Sequence, residues 1–254
     1  MLKALRNGKR AAFIPFIVAG DPSLEVTQKI ALALIDEGAD LLELGVPFSD
    51  ALADGPVIQT ASEKASKTTP SITQVIDLVP KINRVPIILF TYYNPILKLG
   101  VEEFARRVSA AGVAAVLVVD LPPEEAGFYL DVVHRYDLKT IFLASPTTAP
   151  SRVPLIAEAS TGFVYYVSRT GVTGVQDELS ATLQAEVTRL RKLTDKSIAV
   201  GFGISTPEQA RSVAGIGDAV VVGSAFVRLM TAHPDLEQME KEVRSLAREL
   251  VAEL

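Results

Sequence analysis

The chain has 254 residues, 48% of them hydrophobic, a formal net charge of −5 and no cysteine. Its length suits one eight-stranded α/β barrel or two smaller domains, and its apolar content is enough for a large core. The acidic balance argues against a general nucleic-acid binder, and the missing cysteines exclude disulfides, zinc–thiolate centres and thiol nucleophiles.

A short helix over Leu2–Asn7 is expected first, with no apolar segment of the kind that targets a chain for export. The first apolar run is AAFIPFIVAG (11–20). A helical pattern over 24–37 follows, with Val26, Ile30, Ala33 and Leu34 on one face. LLELGVP (41–47) leads into a long loop, Ser49 to Lys67, with its own helical stretch over 56–65. Next come a helix over 71–83, VPIILFTYYN (85–94), a helix over 101–111, AAVLVVDLP (114–122), a helix over 124–136 and TIFLASP (140–146). The chain closes with GFVYYVSR (162–169), a helix over 180–193, SIAVGFGIS (197–205), a helix over 206–214, AVVVGSAFV (219–227) and a helix over 235–253.

The eight apolar runs are continuous rather than alternating, as in parallel strands covered on both faces. Asp21-Pro22, Thr69-Pro70 and Thr206-Pro207 each pair a capping side chain with a proline suited to a first helical turn. No linker or composition break divides the chain. The expectation is an α/β fold, one (β/α)8 TIM barrel over 1–254, with an extra N-terminal helix and a long loop after strand 2. A doubly wound open sheet is the alternative, but no G-x-G-x-x-G follows the first strand. The longest uncharged run, Val85 to Leu97, is too short to span a bilayer, so a soluble cytoplasmic protein is expected.

Chemistry gathers at the strand ends. Strand 7 ends in Gly201-Phe202-Gly203, strand 8 in Gly223-Ser224-Ala225, and strand 6 in a Gly- and Thr-rich loop, Ser168 to Gly174. Glycines there let backbone N–H groups approach an anion, and three such loops together point to a phosphate ester. Glu43 shares a face with Leu41 and Gly45, so it points into the barrel if Leu42 and Leu44 meet the helices. A buried carboxyl at that place suits acid–base work near neutral pH. The following loop, PFSDALADGP (47–56), offers Asp50 and Asp54, and spacing alone does not choose between them. Lys139 and Lys196 precede strands 5 and 7, at the opposite end, which disfavours a Schiff-base aldolase. His134 and His233, the only histidines, fall in or beside helices and suggest neither a metal site nor a Ser-His triad.

The segments PFIVAGDPS (15–23), LELGVPFSDALADGPVIQ (42–59), VVDLPPEE (118–125), YYVSRTGVTG (165–174), GFGISTPEQ (201–209) and VVGSAFV (221–227) resemble, in order and over the whole chain, the tryptophan synthase α chain family. The resemblance implies retro-aldol cleavage of indole-3-glycerol phosphate to indole and glyceraldehyde 3-phosphate, without metal or cofactor. It implies that Glu43 shuttles protons between the carbinol hydroxyl and the indole ring carbon, and it selects Asp54 as the acid that holds the indole N–H. It places Phe16, Leu117 and Tyr165 in the indole pocket, with Phe90, Val119 and Leu143 as weaker candidates, and Phe202 among the substrate-binding residues. Gly174, Gly203, Gly223 and Ser224 would bind phosphate, and Thr173 would touch Asp54 when its loop closes.

A pyridoxal-phosphate β chain is the implied partner, in an αββα assembly. Its docking face would comprise loop 49–60, region 94–98 and residues near 122–125, including Asn94, Pro95 and Pro122. Two departures from the family pattern touch loop closure: Ala51 stands where proline is common, and Val175-Gln176 where an Ala-Arg pair is common. A free-standing lyase, a non-catalytic activator of a β chain and another phosphate-binding barrel enzyme are the competing readings.

Overall fold

The computed structural model describes residues 2, 10–68, 71–167, 176–201 and 203–254. In chain order the elements are β1 (Ala12–Val18), α1 (Leu24–Asp36), β2 (Leu42–Gly45), α2 (Pro56–Thr68), α3 (Ile72–Leu78), β3 (Ile87–Thr91), α4 (Tyr93–Leu99), α5 (Val101–Ala110), β4 (Ala115–Val118) and α6 (Gly127–Arg135). Then follow β5 (Lys139–Ala144), α7 (Val153–Ala159), β6 (Val164–Val167), α8 (Gln176–Arg191), β7 (Ile198–Gly201), α9 (Pro207–Ala214), β8 (Ala219–Val222), α10 (Ser224–Ala232) and α11 (Leu236–Val251). Each strand pairs in parallel with the next, and β8 pairs with β1, so the sheet is a closed barrel.

Alternation along each strand divides the apolar residues between two cores. Inside the barrel lie Ala12, Ile14, Leu41, Ile88, Ala115, Leu117, Ile141, Ala199, Ala219 and Val221. Phe13, Ile17, Leu42, Leu44, Leu89, Val116 and Phe142 belong to the core shared with the helices. Both faces of each strand are therefore dry, which is why the runs read as uninterrupted. Leu2 is buried in the inner cluster; the rest of the expected N-terminal helix lies outside the described residues.

Caps and ion pairs fix the outer ring. Thr206 starts α9 with a reciprocal capping box: its side chain accepts from the Gln209 N–H, and the Gln209 side chain accepts from the Thr206 N–H. The expected cap at Asp21 is corrected, because Ser23 occupies the N-cap of α1 and accepts from the Val26 N–H at 3.2 Å. Asp21 is buried instead, its Oδ2 without a hydrogen-bond partner among the described residues, and burial raises its carboxyl above the usual range. Ser71 caps α3, and Thr69-Pro70 lies outside the described residues. At the seam, Arg244 and Arg248 of α11 bind Glu37 just past α1, and Arg244 also reaches Asp36.

Three helices depart from the expected pattern. Residues 224–227 read as an apolar continuation of strand 8, yet α10 begins at Ser224 and buries Ala225, Phe226, Val227 and Met230 on one side. In α4, Pro95 lies in the first turn, where a missing N–H costs nothing, so the proline does not end the element. α7, likewise, tolerates Pro154 at its start.

Replacing Thr206 with alanine removes one half of the capping box. Thr206→Ala should lower unfolding free energy by about 1 kcal/mol, read as a lower urea midpoint; an unchanged midpoint would show that α9 is held by packing alone.

Candidate active site

β2 places Glu43 next to Phe16 of β1 and Ile88 of β3, near the carboxyl end of the barrel. Because Leu42 and Leu44 belong to the outer core, the Glu43 side chain turns inward. It is only 1% exposed, and its Oε1 has no hydrogen-bond partner among the described residues. Burial, and then the charge of Asp54, push its carboxyl up to about 8. The group therefore holds its proton at neutral pH.

Asp54 comes from the turn between β2 and α2. Its N–H donates to the Ala51 carbonyl at 3.1 Å, and its own carbonyl accepts from the Gln59 side chain at 2.9 Å. Oδ2 accepts from the Tyr92 hydroxyl at 2.8 Å. Burial lifts this carboxyl to about 6 against the lowering effect of that hydrogen bond. Asp50 is exposed on the same loop. The structure thus couples Asp54, and not Asp50, electrostatically to Glu43.

Aromatic rings and glycines shape the space around the two acids. Tyr165 is partly buried against the inner cluster, and burial, with Glu43 and Asp54 nearby, drives its phenol well above the normal value. A Cβ on Gly201 would come within 2.6 Å of the Tyr165 hydroxyl, and one on Gly45 within 2.7 Å of the Phe16 ring. Gly223 also abuts that ring, which meets Phe90 edge-on at 5.3 Å between centroids. These strand-end glycines make room for the neighbouring aromatic side chains. Leu117 is fully buried in the barrel interior, with Phe90, Val119 and Leu143 partly buried against the same cluster.

On the same rim, after β8, Gly223 is the N-cap of α10 and Ser224 its first residue, both partly exposed. The unpaired N–H groups of that first turn form a ready anion site. Gly203 is exposed and has φ +56°, a backbone conformation that glycine adopts without strain. Phe202, Thr173 and Gly174 lie outside the described residues.

Lys139 is the first residue of β5, far from this rim, and His134 is exposed on α6. Among the described residues no three His, Asp or Glu side chains are grouped to hold a metal ion. Likewise no helix is long and apolar enough to cross a membrane.

Sequence reasoning missed Tyr92. A tyrosine next to the carboxyl end of a barrel strand needs a hydrogen-bond partner once buried, and that requirement was the available signal. Here the hydroxyl bonds both Asp54 and the Ala53 N–H.

The chain matches the family described as tryptophan synthase alpha chain over residues 2–254. A tryptophan synthase alpha chain from Solibacter usitatus is 44% identical over 253 residues, covering 98% of this chain and 95% of the relative. Another, from Gloeobacter violaceus, is 48% identical over 250 residues, covering 96% and 91%. Among solved structures, tryptophan synthase subunit alpha from Legionella pneumophila superposes with a TM-score of 0.88 at 35% identity, covering 99% of this chain and 97% of that one. Tryptophan synthase from Mycobacterium tuberculosis gives 0.89 at 34% identity, covering 99% and 95%.

Holding a proton to about pH 8, where the unfolded chain releases it near 4.5, makes Glu43 a destabilising residue as pH rises between those values. Glu43→Gln should therefore gain stability over the unsubstituted chain as pH goes from about 5 to about 9, by on the order of a few kcal/mol. Urea unfolding across that range reads the difference, and a gap independent of pH would mean that Glu43 ionises normally.

Proposed function

Since the chain belongs to the tryptophan synthase alpha chain family, we propose that it cleaves indole-3-glycerol phosphate to indole and glyceraldehyde 3-phosphate, with Glu43 and Asp54 as the catalytic residues. The observation that carries this reading is the buried, electrostatically coupled pair at the mouth of the barrel, whose two members are tuned apart. One acid keeps its proton at pH 7 and the other is mostly ionised, a division of labour that suits acid–base chemistry.

Protonated Glu43 delivers its proton to the ring carbon that bears the glycerol chain. The indole becomes a cationic indolenine, and the Asp54 carboxylate accepts its N–H and stabilises the charge. Glu43, now a carboxylate, removes the proton of the carbinol hydroxyl. The carbon–carbon bond breaks, its electron pair returns to the ring, and an aldehyde forms. Glu43 ends protonated, as it began, so the step balances with no other proton donor. Phe16, Leu117 and Tyr165 form the apolar side of the pocket, and Phe202 is a further substrate-binding residue in this reading. Gly174, Gly203, Gly223 and Ser224 hold the phosphate, where the first turn of α10 supplies N–H donors, and Thr173 meets Asp54 on loop closure.

Alpha chains of this family work with a beta chain. In our reading the beta chain, which carries pyridoxal phosphate, docks on the face formed after β2, β3 and β4, giving an αββα assembly in the cytoplasm. Supporting this, Leu52 is 79% exposed, Leu97 53% and Phe128 67%, and they sit on three successive segments at that end. Large apolar side chains so exposed suit a partner surface.

Purified chain should release indole from indole-3-glycerol phosphate, and faster when a beta chain is added. Glu43→Gln and Asp54→Asn should each lower kcat at least about a hundredfold; near-normal turnover in either would remove that residue from the mechanism. The kcat/KM profile should be a bell, rising through about 6 as Asp54 ionises and falling through about 8 as Glu43 loses its proton. Replacing Leu52 and Phe128 together with aspartate should weaken beta-chain binding at least tenfold in calorimetry while leaving basal indole release intact. Unchanged affinity would move the interface elsewhere.

A further inference from the structure

Tyr92 takes no part in the reaction as written above. It follows β3 directly and is buried, and its side chain caps no helix. Its hydroxyl makes two bonds of opposite sense. It donates to Asp54 Oδ2 at 2.8 Å and accepts from the Ala53 N–H at 3.1 Å. The ring packs on Phe48 with centroids 5.0 Å apart. Phe48 is in turn pinned at both its N–H and its carbonyl by the Ser62 hydroxyl of α2. A strand of the barrel is thereby tied to the loop that carries Asp54. Only one carboxylate oxygen is engaged, and Oδ1 has no hydrogen-bond partner among the described residues.

We propose that Tyr92 is a positioning residue: its hydroxyl fixes the rotation of the Asp54 carboxylate by holding Oδ2, which leaves Oδ1 to accept the indole N–H. The inference rests on the reaction assigned above. A hydrogen bond donated to a carboxylate also favours the charged form, so the same contact works against the burial that raises Asp54. The other titratable groups facing this pair are Glu43 on β2, Tyr165 on β6 and Asp120 after β4, and the last accepts from the Tyr93 N–H at 2.7 Å. Each is neutral or negative, so none replaces the hydroxyl as a support for the Asp54 anion.

Tyr92→Phe keeps the ring on Phe48 and removes only the hydroxyl. At pH 7 kcat should fall about tenfold, the scale of one hydrogen bond to a charged group, with KM within about threefold. The acid limb of the pH profile should move up by about one unit, so the deficit narrows as pH rises. In an Asp54→Asn background the same change should cost nothing more. Carbon-13 NMR titration of the Asp54 carboxyl should show the same upward move without reference to turnover. An unmoved titration, or an equal loss in the Asp54→Asn background, overturns the inference and leaves Tyr92 as packing. A parent chain that releases no indole overturns the reaction itself, which separates the two failures.

Discussion

The pairing of β8 with β1 is the constraint from which the rest of the molecule follows. Ala12 to Pro15 lie beside Ala219 to Val222, and once that seam is made no strand has a free edge. Every strand then needs an inner face that fills a narrow cylinder and an outer face that fits a helix. Small and branched residues fill the lower cylinder: Ala12, Ile14, Ala115, Ala199, Ala219 and Val221. Near its carboxyl end the filling changes character, and Phe16, Glu43 and Tyr165 take the inward positions. The closed register sets Glu43 beside Phe16 without relying on any loop.

The two acids illustrate how place decides chemistry. Glu43 sits on a strand and has lost water, with nothing given in exchange to Oε1 among the described residues. Asp54 sits on a loop and gains the Tyr92 hydroxyl. The loop itself is stitched down through Ala51, Gln59, Phe48 and Ser62, so its carboxyl group is nearly as well fixed as one on a strand. A rigid frame carrying acids of unequal proton affinity needs little rearrangement during proton transfer.

Much of this was legible in the residues. Continuous apolar runs marked the strands because both faces are covered, and the Leu42–Glu43–Leu44 alternation already turned Glu43 inward. What escaped has physical causes. Residues 224–227 have the same apolar look in a buried helix as in a strand, and only the three-dimensional path distinguishes them. Asp21 looked like a helix cap because its residue type suits one, but Ser23 stands closer to the first turn of α1. Asp50 and Asp54 are equivalent as letters, and burial beside Glu43 separates them in space. The role of Tyr92 escaped because its partner lies 38 positions earlier in the chain, although a buried tyrosine at a strand end signals that some partner exists.

The seam held by Arg244, Arg248 and Glu37 also bears on how the molecule is made. β1 is synthesised well before β8 and the arginines of α11. At roughly 5–20 residues per second, the interval is on the order of ten to forty seconds. Throughout it, one side of β1 presents unpaired peptide groups to the surroundings. Until β8 and α11 arrive the sheet keeps an open edge at β1, so closure of the barrel and protection of that edge are one event.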